Sequence, residues 1–280
     1  MTMLTSSARV YSSILKGMKK IRQEVFRFRF CNPFKKRLHF KNLKKNILKT
    51  IISIHGYQVA YGPFKGMQLN QCRNWSRYDL ITQILGTYET HVLQKLIAFS
   101  KGKNNVFIDL GSADGYFAVG MAFSGVFDHV YAFEKDFEMQ RIIKNNAQLN
   151  DCESKMSILG KSNEASLKSI VSQCKESITI LIDIEGDEYD LLNPKMLSSL
   201  SHCSIICELH PWMKKDGKAL QKALLSEASA FFDIELIYRE SYNPNDFEEL
   251  SCFNEEERLI ALSEGRGPNM HWLVLTPKKN

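Results

Sequence analysis

The chain has 280 residues, of which 44% are apolar and 24% charged, so it is long enough to bury the core of a globular domain. It has no apolar run near the roughly 18 residues that cross a bilayer, and its start lacks the apolar core and cleavage site of a signal peptide. These features argue against a membrane-spanning or secreted protein. We therefore expect a cytoplasmic location, and the seven irregularly spaced cysteines predict reduced thiols without structural disulfides.

Charge is unevenly distributed along the chain. Residues 1–50 contain 14 lysines and arginines and one acid, Glu24, whereas acids outnumber bases in the remainder. We expect residues 1–56 to form a basic arm, helical or partly disordered, in which aromatic residues alternate with cations. Such an arm can bind anionic lipid at the inner face of a membrane, a phosphorylated substrate or nucleic acid, of which nucleic acid is less favoured. It can also serve solubility alone.

Residues 57–103 are predicted to form a hairpin followed by helices. The stretch YQVAYGPFKGMQLN contains two short strand-like pieces around a turn with Gly62 and Gly66. From Ser76 to Phe99, apolar residues recur at helical spacing, and Gly86 interrupts the pattern. This pattern predicts one or two helices that lead into the core and cover a site there.

From residue 104 onward, strand patterns alternate with helix patterns. The predicted strands are VFIDL, HVYAF, MSIL, ITILIDI, SIICEL, IELIYRE and HWLVLTP. The predicted helices are YFAVGMAFSG, Phe137–Leu149, Tyr189–Leu200 and about Gly217–Phe231. This alternation predicts an α/β domain over residues 104–280, with a parallel sheet that is buried on both faces.

The last strand follows a long excursion over residues 240–270. Within it, Asn254 and Glu257 have the spacing of a capping box, and Gly265 is a natural stop. We therefore expect a helix over 255–264, inserted into the α/β domain.

A glycine turn follows the first predicted strand in FIDLGSADGYFAVG. Asp109 closes the strand, and Gly111 and Gly115 loosen the turn before the next helix. Ligands of open parallel sheets bind at the carboxyl ends of strands, where small residues let them approach the backbone amides. The glycine spacing differs from that of a dinucleotide fingerprint, which argues against a nicotinamide cofactor.

Two acids indicate which ligand this turn binds. Asp114 in the turn suits a cationic group better than a pyrophosphate, and S-adenosylmethionine has an amino group and a sulfonium. Glu134 ends the second strand, 25 residues after Asp109, where a carboxylate can accept both ribose hydroxyls. Alone, Asp109 could cap a helix and Glu134 could be a surface acid, but their order along the sheet favours cofactor binding.

Five carboxylates follow the fourth strand in LIDIEGDEYDLL. Asp183 lies nearest to the sheet edge and Glu185 lies in the turn, so either can orient an acceptor, take its proton or hold a divalent ion. We interpret Asp187, Glu188 and Asp190 as the solvated start of a helix, where the helix dipole stabilises negative charge.

The fifth strand, in SIICELHPW, ends in Glu208 and His210, and Pro211 terminates it. An imidazole opposite a carboxylate is a reasonable general base for a hydroxyl acceptor. A turn histidine bonded to the backbone is the alternative interpretation. Trp212 is available to form a pocket wall.

Metal binding is the least favoured interpretation of these acids and histidines, and we expect no metal. Cys203 and Cys207 lie on a predicted buried strand that is too stiff to fold four ligands around one zinc ion with His202 and His210.

With these residues assembled, the chain resembles the FkbM-type family of S-adenosylmethionine-dependent methyltransferases. The matching pieces occur in the family's order over about residues 60–212: GPFKGMQL, ILGTYE, IDLGSADGYFA, AFEKD, NNAQLN, IDIEGDEYDLL and CELHP. The chain departs from the family at Leu181, where lysine is frequent, and at Ser112 to Asp114 in the cofactor turn. The basic arm and the 240–270 excursion have no family counterpart, so they are candidates for acceptor recognition.

The resemblance implies a Rossmann-like class I methyltransferase fold, with a mostly parallel sheet, an antiparallel final strand and helices on both faces. It implies S-adenosylmethionine as the cofactor. In the family the segment that matches Tyr88 and Glu89 closes over the methionine end. The expected cofactor-binding residues are therefore Tyr88, Glu89, Asp109, Gly111, Asp114, Gly115 and Glu134.

The leading functional hypothesis is O-methylation of a sugar, glycan or secondary-metabolite-like acceptor, because family members commonly act on such groups. We expect Asp183 and His210 to orient the acceptor and remove its proton, with Glu185 in support. No Asn-Pro-Pro-Tyr-like motif follows the fourth strand, which disfavours amino groups of nucleobases as acceptors. Methylation of a protein or RNA, and a cofactor-binding scaffold without turnover, are the alternatives.

Overall fold

The computed structural model describes residues 33–71, 79–100, 105–174, 177–264 and 270–278, with side chains from residue 38 onward. Residues 1–32 of the basic arm, the predicted helical residue Ser76 and the predicted helix stop Gly265 lie outside this described part. Within it, no helix is long and apolar enough to cross a membrane.

Seven strands form one sheet in the order β3-β2-β1-β4-β5-β7-β6. Strand β7 runs antiparallel to both of its neighbours, and all other neighbouring strands are parallel. The prediction of a Rossmann-like class I methyltransferase fold with an antiparallel final strand is therefore confirmed. The strands are β1 Asn105–Leu110, β2 His129–Phe133, β3 Met156–Leu159, β4 Ser177–Ile182, β5 Ser204–Glu208, β6 Phe232–Tyr238 and β7 His271–Pro277.

The central strands are buried on both faces of the sheet. Strand β1 is buried at every position, and β4 is buried at all but its first. Successive residues point to opposite faces, so Phe107 belongs to one cluster of buried side chains while Val106 and Ile108 belong to another. Both clusters need a layer of helices, which explains why the strand patterns are continuously apolar rather than alternating.

The helices between the strands lie close to their predicted positions, with two corrections. The single helix expected over Tyr189–Leu200 is two short helices, because the Asn193 side chain accepts from the amides of Lys195 and Met196 and starts a new helix at Pro194. A helix between β3 and β4 was not predicted. The helices of this domain are α4 Tyr116–Ser124, α5 Phe137–Leu149, α6 Glu164–Gln173, α7 Glu188–Leu191, α8 Pro194–Ser199, α9 Gly217–Ala228 and α10 Glu255–Ala261.

We call the segment before β1 the cover, because its residues Asp79, Gln83, Tyr88 and Glu89 line a cavity at the carboxyl edge of the sheet. It consists of α1 Pro33–His55, an antiparallel bridge between Gln58 and Gln68, α2 Leu80–Ile84 and α3 Thr90–Phe99. Helix α1 packs against α10 of the excursion, and the predicted capping box of α10 is present. Polar contacts join the two segments, since His55 Nε2 lies 2.8 Å from Glu249 Oε1 and the Tyr61 hydroxyl donates to Glu249 Oε2 at 3.1 Å.

Lys44 of α1 is buried at this junction, where its ammonium group donates to the carbonyl of Ser263. Burial lowers the pKa of Lys44 to about 8, although the charges of Asp79 and Glu264 oppose the shift. Between pH 8 and 10.5, the unfolded chain binds more protons at this lysine than the folded protein does. This difference makes the folded state relatively more stable as the pH rises through this window.

Exchange of Lys44 for methionine is expected to remove this pH dependence. Over this window, the free energy of unfolding of the wild type should rise by roughly 3 kcal/mol relative to that of Lys44→Met. Urea denaturation at several pH values measures the difference. Lys41→Met, at an exposed position of the same helix, is the control that should leave the pH dependence of the wild type unchanged. If the free energies of unfolding of wild type and Lys44→Met changed in parallel with pH, the lowered pKa of Lys44 would be contradicted.

Candidate functional site

The glycine turn after β1 is held against the ends of two neighbouring strands. The amides of Gly111 and Ser112 both donate to the carbonyl oxygen of Phe133 at the end of β2, at 2.9 and 3.0 Å. Gly111 has φ of +90°, and a Cβ atom on it would lie 1.8 Å from the carbonyl oxygen of Asp183, directly after β4. Only glycine fits here, because both the backbone conformation and the neighbouring strand exclude a side chain. The turn therefore brings the ends of β1, β2 and β4 into one site.

Glu134, at the end of β2, is oriented by the backbone. Its Oε2 accepts from the amide of Ala113 at 2.9 Å, and its Oε1 accepts from the amide of Asp136 at 2.8 Å. The side chain of Gln140 donates to its carbonyl oxygen at 2.7 Å. Because each carboxylate oxygen has a second lone-pair site, both oxygens can also accept from a pair of vicinal hydroxyls. The ribose-binding role of Glu134 stays a prediction.

Asp109, at the floor of the site, is 3% exposed. Burial raises the pKa of its carboxyl group to about 7, Asp183 and Glu134 add to the shift, and a hydrogen bond from Ser112 opposes it. A cationic ligand group beside Asp109 would favour the ionised form of the carboxyl group.

Asp114 and Gly115 connect the turn to α4. The Oδ2 atom of Asp114 accepts from Gln83 Nε2 at 3.4 Å, and its Oδ1 accepts from the amide of Tyr116 at 3.3 Å. Asn146 donates to the backbone carbonyl of Asp114 at 2.9 Å. Gly115, the residue before α4, has φ of +83°. Asp114 is therefore a buried carboxylate that is held in place by the cover and by α5.

Tyr88 and Glu89 belong to the cover, and both line a cavity at this edge of the sheet. The ring of Tyr88 contacts that of Tyr116 edge to face, with centroids 5.4 Å apart. The amide of Glu89 donates to Glu264 Oε1 at 3.2 Å, and Arg239 Nε lies 3.2 Å from the same oxygen. The cover and the 240–270 excursion thus meet at Glu264, above the cofactor turn.

Two adjacent cavities lie at this edge of the sheet, with volumes of about 40 and 760 Å³. Tyr116 lines the smaller cavity, and its buried hydroxyl has no hydrogen-bond partner among the described residues. Glu134, Glu185 and Glu208 line the larger cavity. The cavities share the lining residues Asp79, Tyr88, Gly111, Ala113 and Asp183.

His210 follows β5 and is buried, with 1% of its side chain exposed, and it lines neither of these cavities. Its Nδ1 lies 3.3 Å from Glu188 Oε1. Its Nε2 lies 3.6 Å from Asp183 and Glu208 and 3.8 Å from Glu185. Burial alone would lower the pKa of His210, but the bond to Glu188 and the nearby carboxylates raise it above its usual value. The three predicted catalytic residues, Asp183, Glu185 and His210, are therefore brought together.

The interpretation of Glu188 as part of a solvated helix start is wrong. The residue is 0% exposed, and its carboxylate accepts from the amides of Gly186 at 2.7 Å and His210 at 2.8 Å. Together with the contact to Nδ1, these bonds fix the orientation of the His210 imidazole. Glu188 is therefore a positioning residue that sequence reasoning missed.

For Asp187 and Asp190, the interpretation as solvated acids agrees with the structure. Asp187 precedes α7 and lies 3.3 Å from Lys161, and Asp190 lies 2.7 Å from Lys214. The side chains of both acids are more than half exposed. Ion pairs of this kind contribute little to stability.

Trp272, and not the predicted Trp212, forms part of a cavity wall. Trp212 packs edge to face on His210 with centroids 5.3 Å apart, but it is 44% exposed and does not line either cavity described above. Trp272 of β7 is buried and does line the smaller cavity. It pairs with Glu208 across β5 and β7, so only the sheet order could have revealed it.

No protein-family model and no curated protein sequence matches the chain. A putative tRNA (m1A22) methyltransferase of Streptococcus pneumoniae, solved with S-adenosyl-L-methionine, is 15% identical over 68% of this chain and 73% of that one, with a TM-score of 0.44. The tRNA (m1A58) methyltransferase TrmI of Aquifex aeolicus is 12% identical over 69% and 70%, with a TM-score of 0.43. The METTL16 methyltransferase domain is 13% identical over 90% and 82%, with a TM-score of 0.48. At such low identity, the fold assignment rests on the strand order of this chain.

Proposed function

We propose that the chain is an S-adenosylmethionine-dependent methyltransferase of the FkbM type, which methylates a hydroxyl group of a sugar, glycan or secondary-metabolite-like acceptor. The observation that carries this proposal is that the two cavities are adjacent and share five lining residues. Gly111 of the glycine turn and Asp183 line both cavities, and Glu134 and Glu185 line the larger one. The Nε2 atom of His210 lies 3.6 Å from Asp183. A cofactor and an acceptor bound there would meet at Asp183.

The residues present fit the cofactor. Glu134 would hold the ribose hydroxyls, and the buried carboxylates of Asp109 and Asp114 would attract the amino group of the methionine end. The hydroxyl of Tyr116 and the amide of Gln83 are the neighbouring groups that can donate to the methionine carboxylate. S-adenosylmethionine supplies a methyl group on a positively charged sulfur.

The acceptor hydroxyl would be oriented at Asp183 and His210, with Glu185 in support. The cofactor would supply the methyl group to the acceptor oxygen, and its sulfur would keep the electron pair of the carbon–sulfur bond. The hydroxyl proton must leave during this displacement, and Asp183 and His210 are the groups placed to receive it. Alignment of the acceptor with the methyl group contributes more than covalent help would.

The charge of the larger cavity favours a neutral acceptor over a phosphorylated one. Among the described residues that line it, nine are acids and two are lysines. An anionic acceptor would be repelled, whereas sugar hydroxyls can donate hydrogen bonds to carboxylates. RNA or protein methylation stays an alternative because of the basic arm. The acids are Asp79, Glu134, Glu164, Asp183, Glu185, Asp187, Asp190, Glu208 and Glu264.

Product formation tests the proposal. The purified full chain is incubated with S-adenosylmethionine and a panel of neutral sugars and polyols, each paired with its phosphorylated counterpart, and adenosylhomocysteine is measured. We expect product with a neutral member, and a yield at least about tenfold lower with its phosphate, because about 1.4 kcal/mol of repulsion is sufficient for that ratio. Faster turnover of the phosphate, or of RNA, would overturn the acceptor class.

A variant separates catalysis from cofactor binding. Asp183→Asn is expected to lower turnover about a hundredfold, within the range for an acid or base group, while the affinity for the cofactor changes little. Asp190→Asn removes the same charge from an exposed position of the same cavity and should retain activity. Cofactor binding without product for any acceptor would support the scaffold alternative instead.

A further inference from the structure

His210 presents an unusual environment for an imidazole nitrogen. Its Nδ1 is bonded to the buried carboxylate of Glu188, so in the neutral ring the lone pair lies on Nε2. Among the described residues, no group makes a hydrogen bond to Nε2. The His210 side chain is only 1% exposed. The atoms facing Nε2 are oxygens of Asp183, Glu185 and Glu208. A lone pair and carboxylate oxygens that converge in this way can share a positive charge between them.

That charge can be a proton on Nε2 or a bound cation, and the distances favour the cation. A protonated imidazole would draw a carboxylate to roughly 2.7–2.9 Å. The separations here are 3.6 Å to Asp183 and 3.8 Å to Glu185. Ligands bound at roughly 2.0–2.2 Å to one tetrahedral ion are about 3.3–3.6 Å apart, close to the observed values.

Three side chains offer ligand atoms that all lie within 4.8 Å of one another: Asp183, Glu185 and His210. They form the one group of this kind among the described residues. Metal-binding histidines usually donate their second ring nitrogen to a carboxylate or carbonyl. In His210 this nitrogen is Nδ1, and the Glu188 carboxylate accepts from it and fixes the imidazole. Two carboxylates with one imidazole suit a divalent first-row ion, for which Mn²⁺ serves as the spectroscopic probe.

We propose that Asp183, Glu185 and His210 form a binding site for a divalent first-row cation, in place of the absence of metal expected from the sequence. The inference deepens the proposed function, on which its catalytic meaning rests. A cation there would bind the acceptor oxygen and lower the pKa of its hydroxyl. With the cation bound, the hydroxyl proton would leave to water instead of to Asp183 or His210, because the lone pairs of those two residues that face the acceptor would be occupied by the cation.

Binding of Mn²⁺ alone tests the site without cofactor or acceptor. The full chain is freed of metal with a chelator and titrated with Mn²⁺, and the free ion is measured by electron paramagnetic resonance. We expect one site per chain. Glu185→Gln should weaken binding at least about tenfold, and Glu185 is exposed enough for the variant to fold. Asp190→Asn, which removes one charge from the same cavity, should stay within about twofold of the wild type.

A second variant tests the orienting carboxylate. Glu188→Gln should weaken Mn²⁺ binding roughly 10–100-fold, the usual cost of losing an outer partner of a metal ligand. Absence of a stoichiometric site in the wild type would overturn the proposal, and so would equal losses in Glu185→Gln and Asp190→Asn. These results are independent of turnover, so a protein that binds Mn²⁺ but methylates nothing refutes the proposed function alone.

Discussion

Gly111→Ala is expected to abolish detectable cofactor binding and to lower the free energy of unfolding by about 3 kcal/mol or more. The added Cβ would lie 1.8 Å from the carbonyl oxygen of Asp183, so the end of β4 or the turn must move. The φ of +90° adds a conformational cost that glycine avoids. Calorimetry with adenosylhomocysteine and urea denaturation measure the two effects.

Gly125→Ala separates these two causes. Gly125 also has positive φ, +69°, but no atom lies within 4 Å of a Cβ built on it. Its replacement should cost only about 1–2 kcal/mol of backbone strain and should leave cofactor affinity unchanged. If both variants lose the same stability and both bind cofactor, the close approach of the turn to β4 is not what constrains Gly111.

Glu134→Gln is expected to weaken binding of adenosylhomocysteine about 10–100-fold. The charged hydrogen bonds to the ribose hydroxyls would be lost, and such bonds contribute roughly 1.5–3 kcal/mol. The carboxylate of Glu134 accepts from the backbone amides of Ala113 and Asp136. In Glu134→Gln one of these two amides would face the side-chain NH₂ group, which cannot accept its hydrogen bond. Glu138→Gln, an exposed acid on the following helix, is the matched control and should bind as the wild type does.

A ligand without the hydroxyls isolates the ribose contact. For 2′,3′-dideoxyadenosine, the ratio of wild-type to Glu134→Gln affinity should fall close to one, whereas for adenosine it should stay at tenfold or more. An equal loss for both nucleosides would show that Glu134 supports the loop and does not contact the ribose.

Much of the fold could be predicted from local patterns. Strands β2 and β3 and helix α5 have their predicted limits, because continuous apolar runs and helical spacing are strong signals where helices cover both faces of a sheet. Helix α6 was missed because its cap is Asn163 with Ser166, a weaker pattern than the Asn254 and Glu257 pair of α10. Long-range pairing was not needed for these assignments.

The meeting of the site residues could also be predicted. Asp109, Glu134, Asp183 and His210 each end or follow a strand, and the ends of parallel strands share one edge of the sheet. Trp272 and Glu264 could not be assigned in the same way. Each comes from a distant segment, and β7 reaches the site only because it inserts between β5 and β6.

The acids after β4 show where sequence information ends. The sequence by itself determined that Asp187, Glu188 and Asp190 begin a helix and that negative charge is stabilised there. Only the tertiary structure decided that Glu188 is buried while its neighbours pair with lysines in solvent. The physical reason is that burial of a carboxylate requires donors, and the amides of Gly186 and His210 are supplied by packing of the β4 turn against the end of β5.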